Sequence, residues 1–161
     1  MSTLFERLSS SNMQEYREAL EDLLRLPMEE GLSMLHTLGQ SQSPELRARG
    51  MEAMQKLSVS EADKLAFRHL HDPVWFVRVT SIDILSRSGN ATGIPEIARL
   101  LLSDPDEVVR SWAAFYLGVV GNTSCISDLE RCITTDEGFD HEGTPISEIA
   151  AKAIAKIFAR P

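Results

Sequence analysis

HDPVWFVRVTSIDILSRSG (residues 71–89) and SDPDEVVRSWAAFYLGVVG (residues 103–121) carry one pattern twice, at an interval of 32 residues. In each stretch an Asp-Pro pair is followed by Val-Arg, and a glycine stands eleven residues after the arginine. Proline disfavours helical geometry in the residue before it and can itself begin a helix. Each Asp-Pro therefore separates two helices, and the interval indicates an array of helix pairs.

Arginines recur at intervals of 30, 31 and 32 residues and mark one position of the repeat: Arg17, Arg47, Arg78 and Arg110. Offsets +3, +4 and +7 from an arginine lie on one side of a helix, and after Arg110 they are Ala113, Ala114 and Leu117. After Arg17 the +4 position is Glu21, where an apolar residue is expected. We expect each arginine to lie near the start of the second helix of a pair.

The apolar spacing predicts the first helices of the pairs over 29–38, 60–71, 92–103 and 124–134, and a last helix over 146–158. The predicted organisation is one domain over 1–161, with repeats at about 1–27, 28–58, 59–90, 91–122 and 123–161. Gly89 and Gly121 are expected to end second helices, and Thr92 and either Thr123 or Ser124 to cap the next ones.

These stretches resemble the D-P-x-x-x-V-R-x-x-A-A-x-x-L-G-x-x-G signature of HEAT repeats of the short bacterial type. The match is close over 60–121 and loose over 29–59, and 146–158 lacks the Val-Arg. The resemblance implies an all-α, right-handed α-solenoid of four to five helix pairs. In that family the aspartate and arginine form a hydrogen-bonded ladder between repeats, which implies that role for Asp72, Asp104, Arg78 and Arg110. Arg17 and Arg47 follow no such aspartate.

Composition restricts the function further. The net charge of −8 over 161 residues opposes nucleic-acid binding. No apolar run is long enough to cross a membrane, and MSTLFERLSSSN (residues 1–12) has no basic region before an apolar stretch, so we expect a cytoplasmic protein. Cys125 and Cys132 lie about 10 Å apart along a predicted helix, too far for a disulfide, so free thiols are expected.

Acidic residues recur at offset +5 of successive second helices. Asp22, Glu52 and Asp83 occupy these positions, and stacking of the repeats would align them as an acidic strip. Such a strip suits a basic protein partner. It is equally consistent with a solvated surface whose carboxylates keep the protein soluble.

An apolar stripe distinguishes the helix after Asp104. Offsets −2, +2, +5 and +9 point away from the core face and are apolar throughout: Val108, Trp112, Phe115 and Val119. The same offsets one repeat earlier are mostly polar: Phe76, Thr80, Asp83 and Arg87. Either the last repeat or the segment 134–145 covers the stripe, or it is an aromatic anchor site for a partner, extended by Trp75 and Phe76.

The segment TTDEGFDHEGTP (residues 134–145) concentrates acidic residues between repeats: Asp136, Glu137, Asp140 and Glu142. Its spacing matches neither a calcium loop nor a zinc pattern, so no metal or cofactor is expected. The pair His141-Glu142 is similar to those of HEAT-repeat iron hydroxylases, which place several such pairs on helices. We expect a flexible acidic loop that either docks a basic partner or solvates a repeat junction.

The sequence shows no phosphate-binding glycine loop, nucleophile elbow or paired His-carboxylate motif. We therefore predict a non-enzymatic protein-binding module with a basic protein partner, and no nucleic-acid or membrane partner. A narrower hypothesis is an immunity-type inhibitor of a cationic toxin. The alternatives are a scaffold or regulatory subunit, and an enzyme of the lyase-like or DNA-processing HEAT-repeat kind. The sequence does not indicate an oligomeric state.

Overall fold

The computed structural model describes residues 2–160, which form ten α-helices. Their bounds are α1 Leu4–Leu8, α2 Met13–Leu24, α3 Met28–Gly39, α4 Pro44–Leu57, α5 Val59–His69, α6 Trp75–Ser88, α7 Ile94–Ser103, α8 Glu107–Val120, α9 Ile126–Thr135 and α10 Ile146–Phe158. Contacts divide the chain into two compact units at Leu65 and Ala66. Residues 1 and 161, the ends of the predicted domain, lie outside the described part.

The predicted helices are present, with two corrections at their ends. The caps after the second helices are Asn90 and Asn122, whose side chains accept hydrogen bonds from the N–H groups two residues on, at 3.0 and 2.9 Å. Thr92, Thr123 and Ser124 instead lie inside short 3₁₀ turns. Gly89 ends α6 in the left-handed conformation (φ 68°), as expected, whereas Gly121 ends α8 with an extended backbone.

In the C-terminal unit the second helices pack in sequence, α6 on α8 and α8 on α10, while α7 packs on α8 and α9. The approach of α8 to α10 depends on small residues. A Cβ on Gly118 would lie 3.0 Å from both Cα and Cβ of Ala153. The core beside this contact is closed by the fully buried Ala113, Tyr116 and Leu117. A repeat without the Val-Arg signature thus still packs as a second helix.

In the N-terminal unit the buried face of α2 begins one residue earlier than the repeat pattern counted from Arg17 predicts. The residues of α2 that face the core are Tyr16, Ala19, Leu20 and Leu23. Arg17 and Glu21 are exposed, and Leu24 is 40% exposed. Offsets +3, +4 and +7 therefore count from Tyr16, and the prediction of Arg17 as a repeat arginine was wrong.

At the repeat position, Tyr16 is covered by the side chain of another arginine, Arg49. The Arg49 guanidinium lies 4.8 Å from the centroid of the Tyr16 ring and donates to the Ser10 carbonyl at 2.6 Å.

The shift by one residue in α2 also changes the acidic strip. Glu21, not Asp22, is the α2 residue at offset +5 from the corrected start, and it is the α2 counterpart of Glu52.

A bidentate ion pair joins the repeats of α6 and α7–α8. Arg78 donates from Nε and Nη2 to the two carboxylate oxygens of Asp104, at 2.8 and 2.7 Å, and from Nη1 to the Asp72 carbonyl at 2.8 Å. The Arg78 and Asp104 side chains are 10% and 3% exposed. The expected ladder between repeats is therefore present for this arginine, and its acid belongs to the next repeat.

The second rung ends on an aspartate that stands at the repeat interval but lacks the proline of the Asp-Pro pattern. Arg110 donates to both carboxylate oxygens of Asp136, at 2.7 and 3.1 Å, and to the Asp104 carbonyl at 3.0 Å. Asp136, expected in a partner-binding loop, has a side chain only 8% exposed. It lies 32 residues after Asp104, as Asp104 lies 32 after Asp72, but no proline follows it.

Removal of one ladder arginine tests how much these ion pairs contribute to the stability of the fold. Arg78→Ala leaves the Asp104 carboxylate buried and unpaired, so the free energy of unfolding is expected to fall by about 3–5 kcal/mol. Arg17→Ala removes an exposed arginine near the start of α2 and is the matched control, with an expected change within about 0.5 kcal/mol. Urea unfolding at pH 7 measures both. Equal small losses would contradict a structural role for the ladder.

The Arg110–Asp136 rung also makes stability depend on pH. Burial alone would raise the pKa of Asp136, but hydrogen bonds from Arg110 and the Gly138 N–H hold it below its ordinary value. A lowered folded-state pKa stabilises the protein above the unfolded value, about 4, and the contribution is lost as pH falls through the folded value. The stability difference between wild type and Asp136→Asn should therefore shrink below about pH 4.

Urea titrations from pH 7 to pH 3 measure this difference. Glu137→Gln, at the exposed neighbouring carboxylate, is the control and should differ little from the wild type at any pH. A constant gap between the wild type and Asp136→Asn across this range would contradict the assignment.

Candidate binding groove

A cavity of about 340 Å³ opens between α8, the segment that follows α9, and α10. Its lining residues are Ser111, Trp112, Phe115 and Gly118 from α8; Asp140, His141, Glu142 and Thr144 from the segment; and Ile149, Lys152, Ala153 and Lys156 from α10. All three elements belong to the C-terminal unit. We call this feature the α8–α10 groove.

An aromatic pair forms one wall of the groove. The rings of Trp112 and Phe115 meet edge to face, with centroids 5.9 Å apart and planes at 72°. Phe115 is 43% exposed and Trp112 is half-buried. The last repeat and the acidic segment thus lie beside the predicted apolar stripe, cover Trp112 in part and leave Phe115 open to solvent.

The opposite rim is an ordered acidic turn. Asp140 Oδ1 accepts hydrogen bonds from the N–H groups of Glu142 and Thr144, at 2.9 and 2.8 Å, and the Asp140 N–H donates to the Thr144 carbonyl at 2.9 Å. Gly143 completes the turn with φ 83°, a value that favours glycine. The hydrogen bonds from Thr144 and Glu142 hold the pKa of Asp140 below its ordinary value. Its carboxylate is therefore ionised at neutral pH.

The ladder holds this turn in position. A Cβ on Gly138 would lie 2.7 Å from Arg110 Nη2, so only glycine lets the backbone pass this close to the guanidinium. Glu107 on α8 accepts a hydrogen bond from the Phe139 N–H at 2.7 Å, and the Ile146 N–H donates to the Gly138 carbonyl at 3.0 Å. The turn is thus attached to α8 on one side and to the start of α10 on the other.

Two lysines of α10 add positive charge to the groove. Lys156 Nζ lies 5.2 Å from the centroid of the Phe115 ring, a cation–π distance. Lys152 Nζ lies 2.6 Å from a carboxylate oxygen of Glu148, one turn earlier on the same helix. The sequence interpretation did not include these lysines. Their spacing of four residues on the predicted last helix was the available signal.

The groove brings together four of the predicted site residues, Trp112, Phe115, Asp140 and Glu142. Val108 and Val119 lie on the same stripe of α8 but outside the cavity lining, half-buried and exposed respectively. Glu137 is exposed and lines a different depression, beside Arg110 and Asp136.

The remaining predicted residues lie elsewhere. Trp75 and Phe76 form their own edge-to-face pair at the start of α6, with centroids 5.8 Å apart. Asp83 pairs with Arg87 at 2.8 Å on the same helix. In the N-terminal unit Asp22 pairs with Arg7 at 2.8 Å and with Arg25 at 3.1 Å, while Glu52 is exposed on α4. Two of the three acids proposed for the strip therefore already have basic partners.

Three other observations bear on chemistry. Within residues 2–160 no three His, Cys, Asp or Glu side chains are grouped closely enough to hold a metal ion. Cys125 and Cys132 are free thiols, as expected; both are buried, and burial raises the pKa of the Cys132 thiol to about 11. Among the described helices none has the length and apolar character to cross a membrane.

Comparison with known families agrees with the ladder and the helix pairs. Residues 64–142 match the family model for HEAT repeats, a range that contains both arginine–aspartate rungs and most of the acidic turn. This match supports a HEAT-repeat family for residues 64–142. The expected fold class, an α-solenoid of HEAT-like helix pairs, is thereby confirmed. A search of curated proteins gave no match. HEAT repeats commonly mediate protein–protein interaction, so this HEAT-repeat chain is best described as an interaction module.

Proposed function

We propose that this HEAT-repeat chain is a non-catalytic module that binds a basic segment of a partner protein in the α8–α10 groove. The observation that carries the proposal is the Trp112–Phe115 pair, with Phe115 exposed and Trp112 half-buried, facing an ionised acidic turn across one cavity. Aromatic anchors surrounded by polar groups are the usual composition of interface hot spots.

The aromatic wall supports binding because it is organised before a partner arrives. Each ring is held by its edge-to-face contact with the other, and both side chains project from one face of α8. Ordering a side chain at an interface costs about 0.5–1.5 kcal/mol, so anchors that are already ordered retain more of their contact energy.

The balance of charge around the groove supports a basic partner. Lys152 is paired with Glu148 and Lys156 lies over the Phe115 ring, while Asp140 and Glu142 stand on the rim of the cavity and His141 lies 3.9 Å from Glu142. The chain as a whole carries a net charge of −8. A field of this sign attracts a cationic segment and repels an acidic one, which sets the association rate and the selectivity of the module.

An immunity-type inhibitor of a cationic toxin is the narrower form of this proposal, and the same charge supports it. A scaffold or regulatory subunit is the broader form, supported by the repeat family. Co-expression with the product of the adjacent gene separates them. Growth arrest by that product alone, relieved by this chain, supports the inhibitor form; a stable complex without toxicity supports the scaffold form.

Two phenylalanine variants test the anchor role, one at a residue that lines the groove and one at a residue outside it. A photo-crosslinking residue at position 115 first identifies the partner in the native cell. Phe115→Ser should then weaken binding of the purified partner by at least about 2 kcal/mol, the threshold of a hot spot, and change the melting temperature little because the ring is 43% exposed.

Phe158→Ser is the matched control, since Phe158 is 67% exposed at the end of α10 and does not line the groove. Calorimetric titration measures both variants. An equal loss for the two, or a steep fall in melting temperature for Phe115→Ser with unchanged affinity, would exclude the groove as the binding site.

The steering role of the acidic turn is tested by kinetics. The double change Glu137→Gln and Glu142→Gln removes two exposed carboxylates of the segment 134–145, of which Glu142 lines the groove, so association should slow and its salt dependence should flatten, with a smaller change in dissociation. The control carries Asp22→Asn and Glu52→Gln, the same change of charge in the N-terminal unit. Stopped-flow rates at low and high salt compare them. An identical slowing in both would assign the effect to net charge and not to the turn.

A further inference from the structure

The cation over Phe115 belongs to the chain itself. Lys156 Nζ lies 5.2 Å from the centroid of a ring that is 43% exposed at the edge of the groove. This distance is within the range, about 6 Å, at which an ammonium or guanidinium group is attracted to an aromatic face. The ring thus carries a cation in the absence of any partner.

The two lysines of the groove have different contacts. Both lysines line the same cavity from the same helix, four residues apart. Lys152 is bound by Glu148 at 2.6 Å, while Lys156 is directed to the ring. The opposite rim holds the carboxylates of Asp140 and Glu142. An aromatic face and carboxylates across one cavity are the two kinds of group that bind a cationic side chain.

We infer that the α8–α10 groove recognises an arginine or lysine side chain of the partner between Phe115 and the acidic turn, and that Lys156 occupies this position until the partner displaces it. The inference rests on the proposed function and names the chemical group that the groove selects. Lys156 is then a specificity-determining residue, because only a side chain that is itself cationic replaces the contact that Lys156 gives up.

Displacement of Lys156 lowers the affinity for the partner. A contact of this kind at an exposed site corresponds to about two- to fivefold in a binding constant. Lys156→Gln removes the competing cation and leaves a neutral polar side chain that is slightly shorter than lysine. The variant should therefore bind a cationic segment about two- to fivefold more tightly than the wild type.

The probe is an acetylated and amidated pentapeptide, Gly-Arg-Leu-Arg-Gly, and its twin with both arginines replaced by citrulline, which has nearly the same shape without the charge. Binding is followed by the fluorescence of Trp112 in a Trp75→Phe background, which removes the other tryptophan of the chain. The variants are Lys156→Gln, the charge-matched control Lys152→Gln, and Phe115→Leu with and without Lys156→Gln. Phe115→Leu keeps an apolar side chain and removes the ring.

The expected result has three parts. Lys156→Gln binds the arginine peptide more tightly than the wild type and more tightly than Lys152→Gln. It shows no such gain for the citrulline peptide. In the Phe115→Leu background the gain from Lys156→Gln disappears, because the ring that both cations share is gone.

Other results overturn the inference. Equal gains for Lys156→Gln and Lys152→Gln would show that only net charge matters, and this control is strict because Lys152→Gln also frees Glu148. Absence of a response to the arginine peptide in the wild type and in Lys156→Gln overturns it as well. If these occur while Phe115→Ser still abolishes binding of the native partner, the proposed function survives and the anchor is apolar; if Phe115→Ser has no effect, both fail.

Discussion

The partly buried ion pair between Arg110 and Asp136 determines the path of the chain after α9. Arg110 holds Asp136, the Gly138 Cα lies close to the Arg110 guanidinium, and Glu107 accepts a hydrogen bond from the next N–H, that of Phe139. Breaking a buried ion pair costs several kcal/mol because one charge stays behind without its partner. The acidic turn therefore has little freedom to move relative to α8, and the groove between them exists before any ligand is bound.

Much of this arrangement can be predicted from the period of the sequence. The Asp-Pro and Val-Arg pairs locate the turns and second helices of 60–121, and apolar spacing alone locates α10, whose observed bounds Ile146–Phe158 equal the predicted range. The repeat interval predicts the wrong residue where one position of the sequence departs from the pattern. At α2 the spacing of arginines selects Arg17, yet burial follows the apolar residues that count from Tyr16, since exclusion of apolar area from water dominates over the identity of one polar residue.

The site was predictable only in part, because the sequence pattern gives the faces of a helix but not the path of the segment that packs beside it. Trp112 and Phe115 are assigned to an outward face of α8 by helical geometry, which a sequence contains. Their neighbours across the groove are set by the path of a segment that has no counterpart in other repeats. Lys156 meets Phe115 because Gly138, Asp140 and Gly143 turn the chain back before α10 begins, and those contacts are tertiary.

The two sets of charges in the C-terminal unit therefore divide by burial. Arg78 and Asp104 form a buried ion pair, and Arg110 and Asp136 form a partly buried one, so the charges of all four residues are already neutralised within the chain. Asp140 and Glu142 lie on the solvent side of the same turn, where a charge costs little to keep and acts at a distance. Residues that follow the repeat pattern pack between the helices. The residues able to contact a partner are therefore those outside the pattern, on the outward face of α8 and in the acidic turn.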